Sequence, residues 1–380
     1  QTTAIKERLI ANNKKIDWYP KEVGEGRFGE WLENNIDWSL SRDRFWGTPL
    51  PVWRCTTCDA QECIGSIAEL REKAAHEVPA DLELHKPMVD RIPLKCPACG
   101  GVMERVPEVI DCWFDSGSMP YAQWHYPFEN KDKFAKSFPA DFISEGVDQT
   151  RGWFYSLLVI GAFLFDQPAY KSCVSIELIL DKEGQKMSKT RGNAVAPIEF
   201  LDNQGADALR WYLLTVSPPW LPTRFDPEGV RDVIRKFLGT LANTYSFFAL
   251  YANIDQFSYA ATPRIPVAER SELDRWLCSS LTALTKRVND HLARYDLTRA
   301  SRAISDFVID DLSNWYVRRS RRRFWKAEMG EDKLAAFQTL YEALFTVSRL
   351  VAPMAPFIAD EIYRKLNDGG AGHADSVHLA

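Results

Sequence analysis

Two lysines stand three residues apart in a short loop that has turn-forming residues on both sides. Lys186 and Lys189 follow Gly184 and precede Gly192. The β-rich run from 173 to 180 comes directly before, so we expect a strand that ends in a mobile, cationic loop. Lysine is a compact charge with three donors, and a loop of this kind suits a polyphosphate. Taken alone, the run also allows an ordinary solvated surface loop.

Four of the eight cysteines form two Cys-x-x-Cys pairs separated by a polar insert. Two such pairs supply the thiolates of a tetrahedral zinc site, and the insert carries its own predicted helix at 66–75. The chain has no secretory signal, so reduced thiols and metal ligands are expected rather than disulfides. The predicted structural zinc ligands are Cys55, Cys58, Cys96 and Cys99. The alternatives are four reduced cysteines, or substitution by Cys63 and, more weakly, by His76 or His85.

A second group of polar residues recurs at intervals of three and four along a helix predicted for 146–165. This group comprises Glu145, Asp148, Gln149, Gly152 and Trp153. Residues at this spacing share one helix face. A polar face at the carboxyl end of a strand, here 140–144, is where open α/β sheets bind ligands, and a glycine lets a ligand approach the backbone. A merely solvated face is the alternative, which the tryptophan fits badly.

The chain beyond the proline cluster at 217–222 reads almost entirely as amphipathic helices, which predicts a helix bundle. One of these helices, at about 298–327, carries a dense group of cations with aromatic residues between them. The cations are Arg318, Arg319, Arg321, Arg322, Arg323 and Lys326. Phosphate contact and base stacking use these residue types. A solvated arginine face packed against carboxylates such as Asp310 and Asp311 is an equal alternative.

Length and composition describe a globular chain without a predicted membrane span. Its 380 residues are 46% hydrophobic and 26% charged, with a net charge of −5. A chain of this length holds two or three domains. Because the net charge is negative, contact with nucleic acid would need local basic patches rather than a surface that is basic overall. The chain opens with Gln1 instead of Met, which suggests a fragment or a processed product.

Several of these runs resemble the class I aminoacyl-tRNA synthetases, and most closely their isoleucine-specific members. The runs are Lys186-Met187-Ser188-Lys189-Thr190, the segment from Glu145 to Phe154, Gly205-Ala206-Asp207-Ala208-Leu209-Arg210, the segment from Ser41 to Pro51, and the segment from Val109 to Gly117. They occur in the order of the family. Independent motifs at consistent spacing are seldom coincidental.

The resemblance implies an α/β part followed by an all-α part. The first would be the second half of a Rossmann-like nucleotide-binding fold with a zinc-knuckle insertion, and the second an anticodon-binding helix bundle. The implied domains are a helical connector at 1–45, the zinc insertion at 46–105, the rest of the catalytic half at 106–222 and the tRNA-binding bundle at 223–380.

The resemblance also implies a reaction, partners and residue roles. Isoleucine and ATP, with Mg, would give isoleucyl-adenylate, and tRNA(Ile) would accept the isoleucyl group, in a cytoplasmic monomer. By this resemblance, Lys186 and Lys189 would stabilise phosphates, Glu145 and Asp148 would contact the adenylate, and Gln149 would bind the amino-acid head group. Trp113 and Trp153 would be the walls of an apolar pocket, with close approach of the ligand at Gly152. The residues that would contact tRNA are Arg318, Arg319, Arg322 and Arg323.

Departures from the family pattern qualify this expectation. None of the six histidines begins the His-x-Gly-His motif of these enzymes. We therefore expect the first half of the nucleotide fold and the editing domain to be absent from 1–380, and this chain alone not to form the adenylate. Ile176-Glu177 also departs from the family before the lysine loop. A non-catalytic RNA-binding module and a valine- or leucine-specific relative are the alternatives.

Overall fold

A computed structural model describes residues 1–326, 328–366 and 374–380, and for Lys189 it describes the backbone alone. The chain divides into two compact units, Gln1–Ser175 and Ile176–Ala380. Across these described residues, no helix combines the length and the apolar character that crossing a lipid bilayer requires.

The first unit combines short helices with β-strands. Its helices are α1 (Lys6–Asn13), α2 (Gly29–Glu33), α3 (Ile67–Lys73), α4 (Cys112–Ala122), α5 (Lys131–Ser137) and α6 (Trp153–Phe165). Its strands are β1 (Asp17–Tyr19), β2 (Ser41–Arg42), β3 (Val52–Cys55), β4 (Gln61–Cys63), β5 (Leu94–Lys95), β6 (Val102–Arg105), β7 (Val109–Ile110), β8 (Ala140–Gly146) and β9 (Tyr170–Ile176), the last of which ends one residue beyond the unit.

A sheet in the order β1-β9-β8 forms the centre of the first unit. Strand β1 runs parallel to β9, with Trp18 opposite Cys173. Parallel strands need both faces covered, and the apolar helix α6 and helix α1 supply the cover. Trp18 lies at the middle of this core, in contact with the rings of Phe28, Phe154 and Tyr170.

The segment between β8 and α6 corrects the helix predicted for 146–165. Strand β8 continues to Gly146, residues Val147–Arg151 form a 3-10 turn, and α6 begins only at Trp153. Gly152 has φ −143° and ψ −110°, which is not helical. The polar residues therefore lie on a strand end and a tight turn rather than on one face of an α-helix.

The cysteine-rich insertion is a small antiparallel sheet in the order β4-β3-β6-β5. Trp53 of β3 is almost fully buried in its core, and the indole N–H donates to the carbonyl of Ile92 at 2.7 Å. Leu94 and Met103, which lie opposite each other on β5 and β6, are completely buried. This core holds the two Cys-x-x-Cys turns at one end of the sheet.

The second unit has a short parallel strand pair followed by helices. Its strands are β10 (Ile179–Leu180) and β11 (Thr223–Arg224). Its helices are α7 (Pro197–Gln204), α8 (Ala206–Val216), α9 (Pro227–Val233), α10 (Gly239–Ile254), α11 (Glu272–Leu292), α12 (Leu297–Asp306), α13 (Arg318–Trp325), α14 (Glu331–Val351) and α15 (Pro356–Leu366). Helices α12 and α13 are joined by a π-helical stretch, Phe307–Val317. A turn containing Pro353 separates α14 from α15.

Helices α10 to α15 enclose a large apolar core, and α8 packs on it through specific polar contacts. Asp207 of α8 accepts hydrogen bonds from the backbone N–H groups of Phe357 and Ile358, which caps the start of α15. Arg210 donates to the carbonyls of Pro353 and Met354. The Asp207-x-x-Arg210 pair thus fixes α8 to the turn between α14 and α15.

A buried ion pair joins three helices of the bundle. Asp274 of α11 is fully buried and accepts two bonds from the guanidinium of Arg323, at 2.8 and 2.7 Å. Tyr316 donates to the same carboxylate at 2.6 Å, and Asp332 of α14 accepts from Arg323 at 2.9 Å. Burial alone would raise the pKa of Asp274, but the bonds from Arg323 and Tyr316 outweigh it and lower the pKa.

We predict that Asp274→Ala lowers the free energy of unfolding by about 3–5 kcal/mol, because it leaves the Arg323 charge with only the half-exposed Asp332 as a carboxylate partner. Because the folded-state pKa of Asp274 is lowered, its contribution is present above the unfolded value of about 4 and is lost as the pH falls through the folded value. Urea unfolding followed by circular dichroism at pH 7 and pH 3 measures both effects.

The control is Asp232→Ala, which removes an exposed carboxylate that pairs with Arg235 and Lys236. Exposed pairs contribute about 0–1 kcal/mol, so this variant should differ little from the parent protein. Equal losses in the two variants would show that the buried pair has no special role.

Candidate functional site

The end of β8 and the turn that follows bring several predicted site residues together. The side-chain oxygen of Gln149 accepts from the backbone N–H of Trp153 at 2.9 Å, and its amide nitrogen donates to Asp148 at 3.1 Å. Glu145 is exposed near the end of β8. An amide and two carboxylates therefore line the entrance to α6, where they can bind a polar or cationic group.

Gly152 is the point of closest packing in this region. A Cβ atom placed there would lie 2.7 Å from the Gln149 side-chain oxygen and 2.9 Å from the Trp113 ring, so a larger residue would displace one of these side chains. Trp113 is 39% exposed, and Trp153 donates its indole N–H to the carbonyl of Ser116 at 3.1 Å. Trp113 belongs to α4 and Trp153 bonds to it through Ser116, so both tryptophans are linked to this helix.

A cavity of about 280 Å³ adjoins Trp113 and Gly152. Its walls also include Trp38, Arg42 and Asp111, residues to which the sequence analysis gave no role. Asp111 is the N-cap of α4, since its carboxylate accepts from the backbone N–H of Trp113 at 3.2 Å. An aspartate at the end of a strand and before a helical run is a helix-start signal that could have identified it.

The four predicted zinc ligands form one cluster. The sulfur atoms of Cys55, Cys58, Cys96 and Cys99 all lie within 4.8 Å of one another, and this group can hold a metal ion. Among the described residues, Cys63, His76 and His85 are not part of the cluster. His85 instead stacks on Trp46 and contacts Glu83. The structure therefore confirms that the two Cys-x-x-Cys pairs converge.

Backbone N–H groups around the cluster favour the thiolate form of Cys55, whereas the pKa values of the Cys58 and Cys99 thiols are raised, by the sulfur atoms beside them and against the effect of a backbone N–H. The N–H of Thr57 donates to Cys55 and that of Gly101 donates to Cys99, both at 3.4 Å. The N–H groups of Thr57 and Cys58 lower the pKa of the Cys55 thiol to about 6. Several thiolates this close repel one another, and a divalent cation would remove that repulsion. The donor set fits zinc, for which tetrahedral sulfur coordination is typical.

The lysine loop is held at both ends by a pair of side chains that the sequence analysis did not single out. Asp181 accepts from the backbone N–H of Gln185 at 2.6 Å and from the Asn193 amide at 2.7 Å. Asn193 in turn accepts from the N–H of Ser188 at 2.9 Å. Those contacts lower the pKa of Asp181, the Gln185 N–H having the largest effect. An aspartate three residues before a glycine is a turn signal that pointed here.

Within the loop, Lys186 and Met187 face different surroundings. Met187 packs against the apolar cluster of Ala208, Tyr212, Phe225 and Val230. Lys186 is exposed, and among the described residues it forms no ion pair. The side chain of Lys189 lies outside the described residues. The loop is thus anchored by its methionine and presents an uncompensated cation to solvent.

The arginines of the basic run at 318–323 divide into two groups by their exposure. Arg323 is only 13% exposed and belongs to the buried network with Asp274. By contrast, Arg318, Arg319, Arg321 and Arg322 are exposed, and none of them pairs with a carboxylate in the part of the chain that the structure describes. The guanidinium of Arg319 lies 4.5 Å from the ring centroid of Trp315, which is itself 48% exposed. This face offers cations beside an accessible aromatic ring.

Two family models match the chain. Residues 1–223 match "tRNA synthetases class I (I, L, M and V)", and residues 274–380 match "Anticodon-binding domain of tRNA ligase". The first covers the sheet, the cysteine cluster and the lysine loop. The second covers most of the bundle, including its arginine-rich helix.

Curated relatives agree along the whole chain. The isoleucine–tRNA ligase of Clostridium tetani is 54% identical over 378 residues, which is 99% of this chain and 36% of the relative. That of Cytophaga hutchinsonii is 54% identical over an alignment that covers 100% of this chain and 35% of the relative. The chain therefore spans about a third of the length of these relatives.

Solved structures share the fold at low identity. The complex of methionyl-tRNA synthetase from Mycobacterium tuberculosis with methionyl-adenylate has a TM-score of 0.68 at 20% identity and covers 100% of this chain and 64% of that one. The LeuRS–tRNA–LeuAMS complex of Agrobacterium radiobacter K84 has a TM-score of 0.66 at 22% identity, covering 94% and 45%. The expected fold class is confirmed, and the chain belongs to the class I tRNA synthetases of the I, L, M and V group.

Proposed function

We propose that the chain is part of an isoleucine–tRNA ligase. The enzyme joins isoleucine to ATP, releases pyrophosphate, and transfers the isoleucyl group of the adenylate to tRNA(Ile). The observation that carries this proposal is the 54% identity to the Clostridium tetani isoleucine enzyme along nearly the whole chain. Structural neighbours from the leucine and methionine groups reach only 22% and 20% identity.

Trp113, Trp153 and Gly152 would form the wall against which the apolar side chain of isoleucine rests. The rings offer apolar surface, and the bare backbone at Gly152 lets a ligand approach closely. Gln149 would bind the amino-acid head group, and Glu145 and Asp148 would contact the adenylate. The hydrogen bonds among Gln149, Asp148 and Trp153 support these roles, because they fix the polar groups before a substrate arrives.

Lys186 and Lys189 would stabilise the phosphates of ATP, which Mg accompanies. Negative charge builds on the leaving pyrophosphate as the bond to the α-phosphate breaks, so cations placed there act mainly on the transition state. The exposure of Lys186 supports this role. The anchoring of the loop by Asp181 and Asn193 supports it further, because a fixed loop base limits the positions that the lysines can take.

The full-length protein should catalyse isoleucine-dependent ATP–pyrophosphate exchange. We predict that Lys186→Ala or Lys189→Ala lowers the rate of this exchange about 10²–10³-fold, with little effect on the affinity for isoleucine. Pre-steady-state kinetics separates the two quantities. Lys182→Ala, in the same loop, is the control and should keep the parental rate. Exchange driven by leucine or valine in preference to isoleucine would refute the proposed specificity, and a loss of isoleucine affinity alone would refute the lysine role.

We also propose that the cysteine cluster holds a structural zinc ion. Its four sulfur atoms supply the complete ligand set, and the sheet order β4-β3-β6-β5 brings both pairs to one end of the insertion. Zinc in a site of this kind contributes on the order of 10 kcal/mol to local folding. Zinc would therefore stabilise the insertion rather than take part in the reaction.

Elemental analysis of protein purified without chelator should find about one zinc per chain. Cys96→Ser should remove it, because the loss of one of four thiolates leaves an incomplete shell. Cys63→Ser is the matched control, since Cys63 is exposed on β4 and outside the cluster, and should retain the metal. Absence of zinc from the parent protein, together with four freely titratable thiols, would contradict the proposal.

The exposed arginine face of the bundle is our proposed tRNA contact. Arg318, Arg319 and Arg322 would contact phosphates, while Trp315 offers a ring on which a base can stack. The match of residues 274–380 to the anticodon-binding family supports this placement. Arg323 would contribute indirectly, since its guanidinium is committed to Asp274.

Replacing Arg318, Arg319 and Arg322 together by alanine should weaken tRNA binding and reduce the slope of log affinity against log salt by about two to three. Filter binding over a salt series measures both. Arg231→Ala, which removes an exposed arginine of α9 that pairs with Glu228, serves as the control. An unchanged salt slope in the triple variant would place the RNA contact elsewhere.

A further inference from the structure

Asp111 connects three parts of the first unit through its two carboxylate oxygens. Its Oδ1 atom accepts from the backbone N–H of Trp113 at 3.2 Å. Its Oδ2 atom accepts from the indole N–H of Trp38 at 2.8 Å and from the guanidinium of Arg42 at 2.6 Å. The residue is only 4% exposed, so these bonds form away from water. It caps α4 and at the same time holds the segment from 38 to 42.

An amide cannot replace this carboxylate, although asparagine caps helices as well as aspartate does. If the amide oxygen of an asparagine caps α4, its NH₂ group faces the two donors, Trp38 and Arg42. If the oxygen accepts from those donors, the NH₂ group faces the N–H of Trp113. Each orientation sets donor against donor, because only a carboxylate offers acceptors on both sides.

Helix α4 carries this connection to the pocket walls. Trp113 lies two residues beyond the cap, and the carbonyl of Ser116 accepts from Trp153 at 3.1 Å. Trp113 also leaves no room at Gly152, where a Cβ atom would stand 2.9 Å from the ring. A small movement of the α4 N-terminus would therefore move Trp113 against the backbone and displace the partner of Trp153.

We propose that Asp111 is a positioning residue that sets the width of the apolar amino-acid pocket by fixing α4 against the Trp38–Arg42 segment. The inference rests on the proposed function, since it takes Trp113 and Trp153 as the pocket walls. Asp111 bonds to the backbone N–H of Trp113, and it acts on the ring through the helix that it caps. The ligand concerned is a branched aliphatic amino acid, and the property controlled is discrimination between side chains that differ by one methylene.

The functional test compares Asp111→Asn with Asp226→Asn in the full-length protein. Asp226 is a simple N-cap of α9 that accepts from the N–H of Glu228, so asparagine should preserve its role. In ATP–pyrophosphate exchange, Asp111→Asn should raise the KM for isoleucine about 10–100-fold, with a smaller change in kcat and an unchanged KM for ATP. The preference for isoleucine over valine in kcat/KM should fall, whereas Asp226→Asn should match the parent protein.

A structural readout separates failure of this inference from failure of the proposed function. The tryptophans can be labelled with 5-fluorotryptophan and observed by ¹⁹F NMR in the same full-length protein. The resonances of Trp113 and Trp153, assigned through Trp113→Phe and Trp153→Phe, should shift in Asp111→Asn and stay in place in Asp226→Asn. If the parent enzyme lacks isoleucine-dependent exchange, the proposed function fails while this measurement still tests the positioning.

A second variant covers the case in which Asp111→Asn does not fold. Trp38→Phe removes one donor to Asp111 and keeps a ring against Phe114 and Tyr155. It should shift the same two resonances and raise the KM for isoleucine in the same direction, by a smaller factor. Unmoved Trp113 and Trp153 resonances, or an unchanged isoleucine-to-valine preference in a folded Asp111→Asn enzyme, would overturn the proposal.

Discussion

The missing side chain at Gly152 is the constraint on which the candidate substrate site depends. Gln149 and the ring of Trp113 both occupy space that any other residue would fill. Because they meet there, the 3-10 turn can lead directly into α6, and the Gln149 side chain can bind the first backbone N–H of that helix. The turn, the start of α6 and the packing of α4 therefore meet at one close approach.

The charged groups of this chain fall into two classes, those paired with an opposite charge inside the fold and those without such a partner. Inside the bundle, the carboxylate of Asp274 is compensated by Arg323 and by the hydroxyl of Tyr316, so no ligand is needed. By contrast, Lys186 and the exposed Arg318, Arg319, Arg321 and Arg322 form no ion pair with a carboxylate among the described residues, and four thiols lie close together in the cysteine cluster. Groups of this second kind are available to a ligand, and our proposal assigns a metal cation to the thiols and phosphates to the cations.

Local features of this fold could be predicted from the sequence because their causes are local. The two Cys-x-x-Cys turns converge as expected, since each turn aims two thiols by its own geometry, and two antiparallel strands complete the cluster. The helix predicted at 298–327 is observed as a continuous helical segment at 297–325, because its apolar residues keep a helical period. The family motifs were recognised for the same reason, as each is a short run of neighbouring residues.

Features that depend on distant residues could not be predicted in this way. Helix α6 begins seven residues later than the spacing predicts, at a non-helical Gly152 that packs closely on a tryptophan 39 positions before it in the sequence. The roles of Asp111 and Asp181 were missed as well, although both carried a local capping or turn signal. Their importance lies in the second partner of each carboxylate, which neither signal reveals.

The arginine-rich helix is a second case in which the role of a residue depends on a partner that is distant in the sequence. By sequence, Arg322 and Arg323 are equivalent, since they are identical residues in one basic run. Successive residues of a helix are rotated by about 100° about its axis. Arg323 therefore faces Asp274 of α11, which lies 49 residues earlier in the sequence, while Arg322 remains exposed. Arg323 stabilises the bundle because the buried carboxylate of Asp274 faces it, whereas Arg322 remains available to a ligand. The division of the basic run therefore follows from the carboxylates of the neighbouring helices, which bind Arg323 and leave Arg322 exposed.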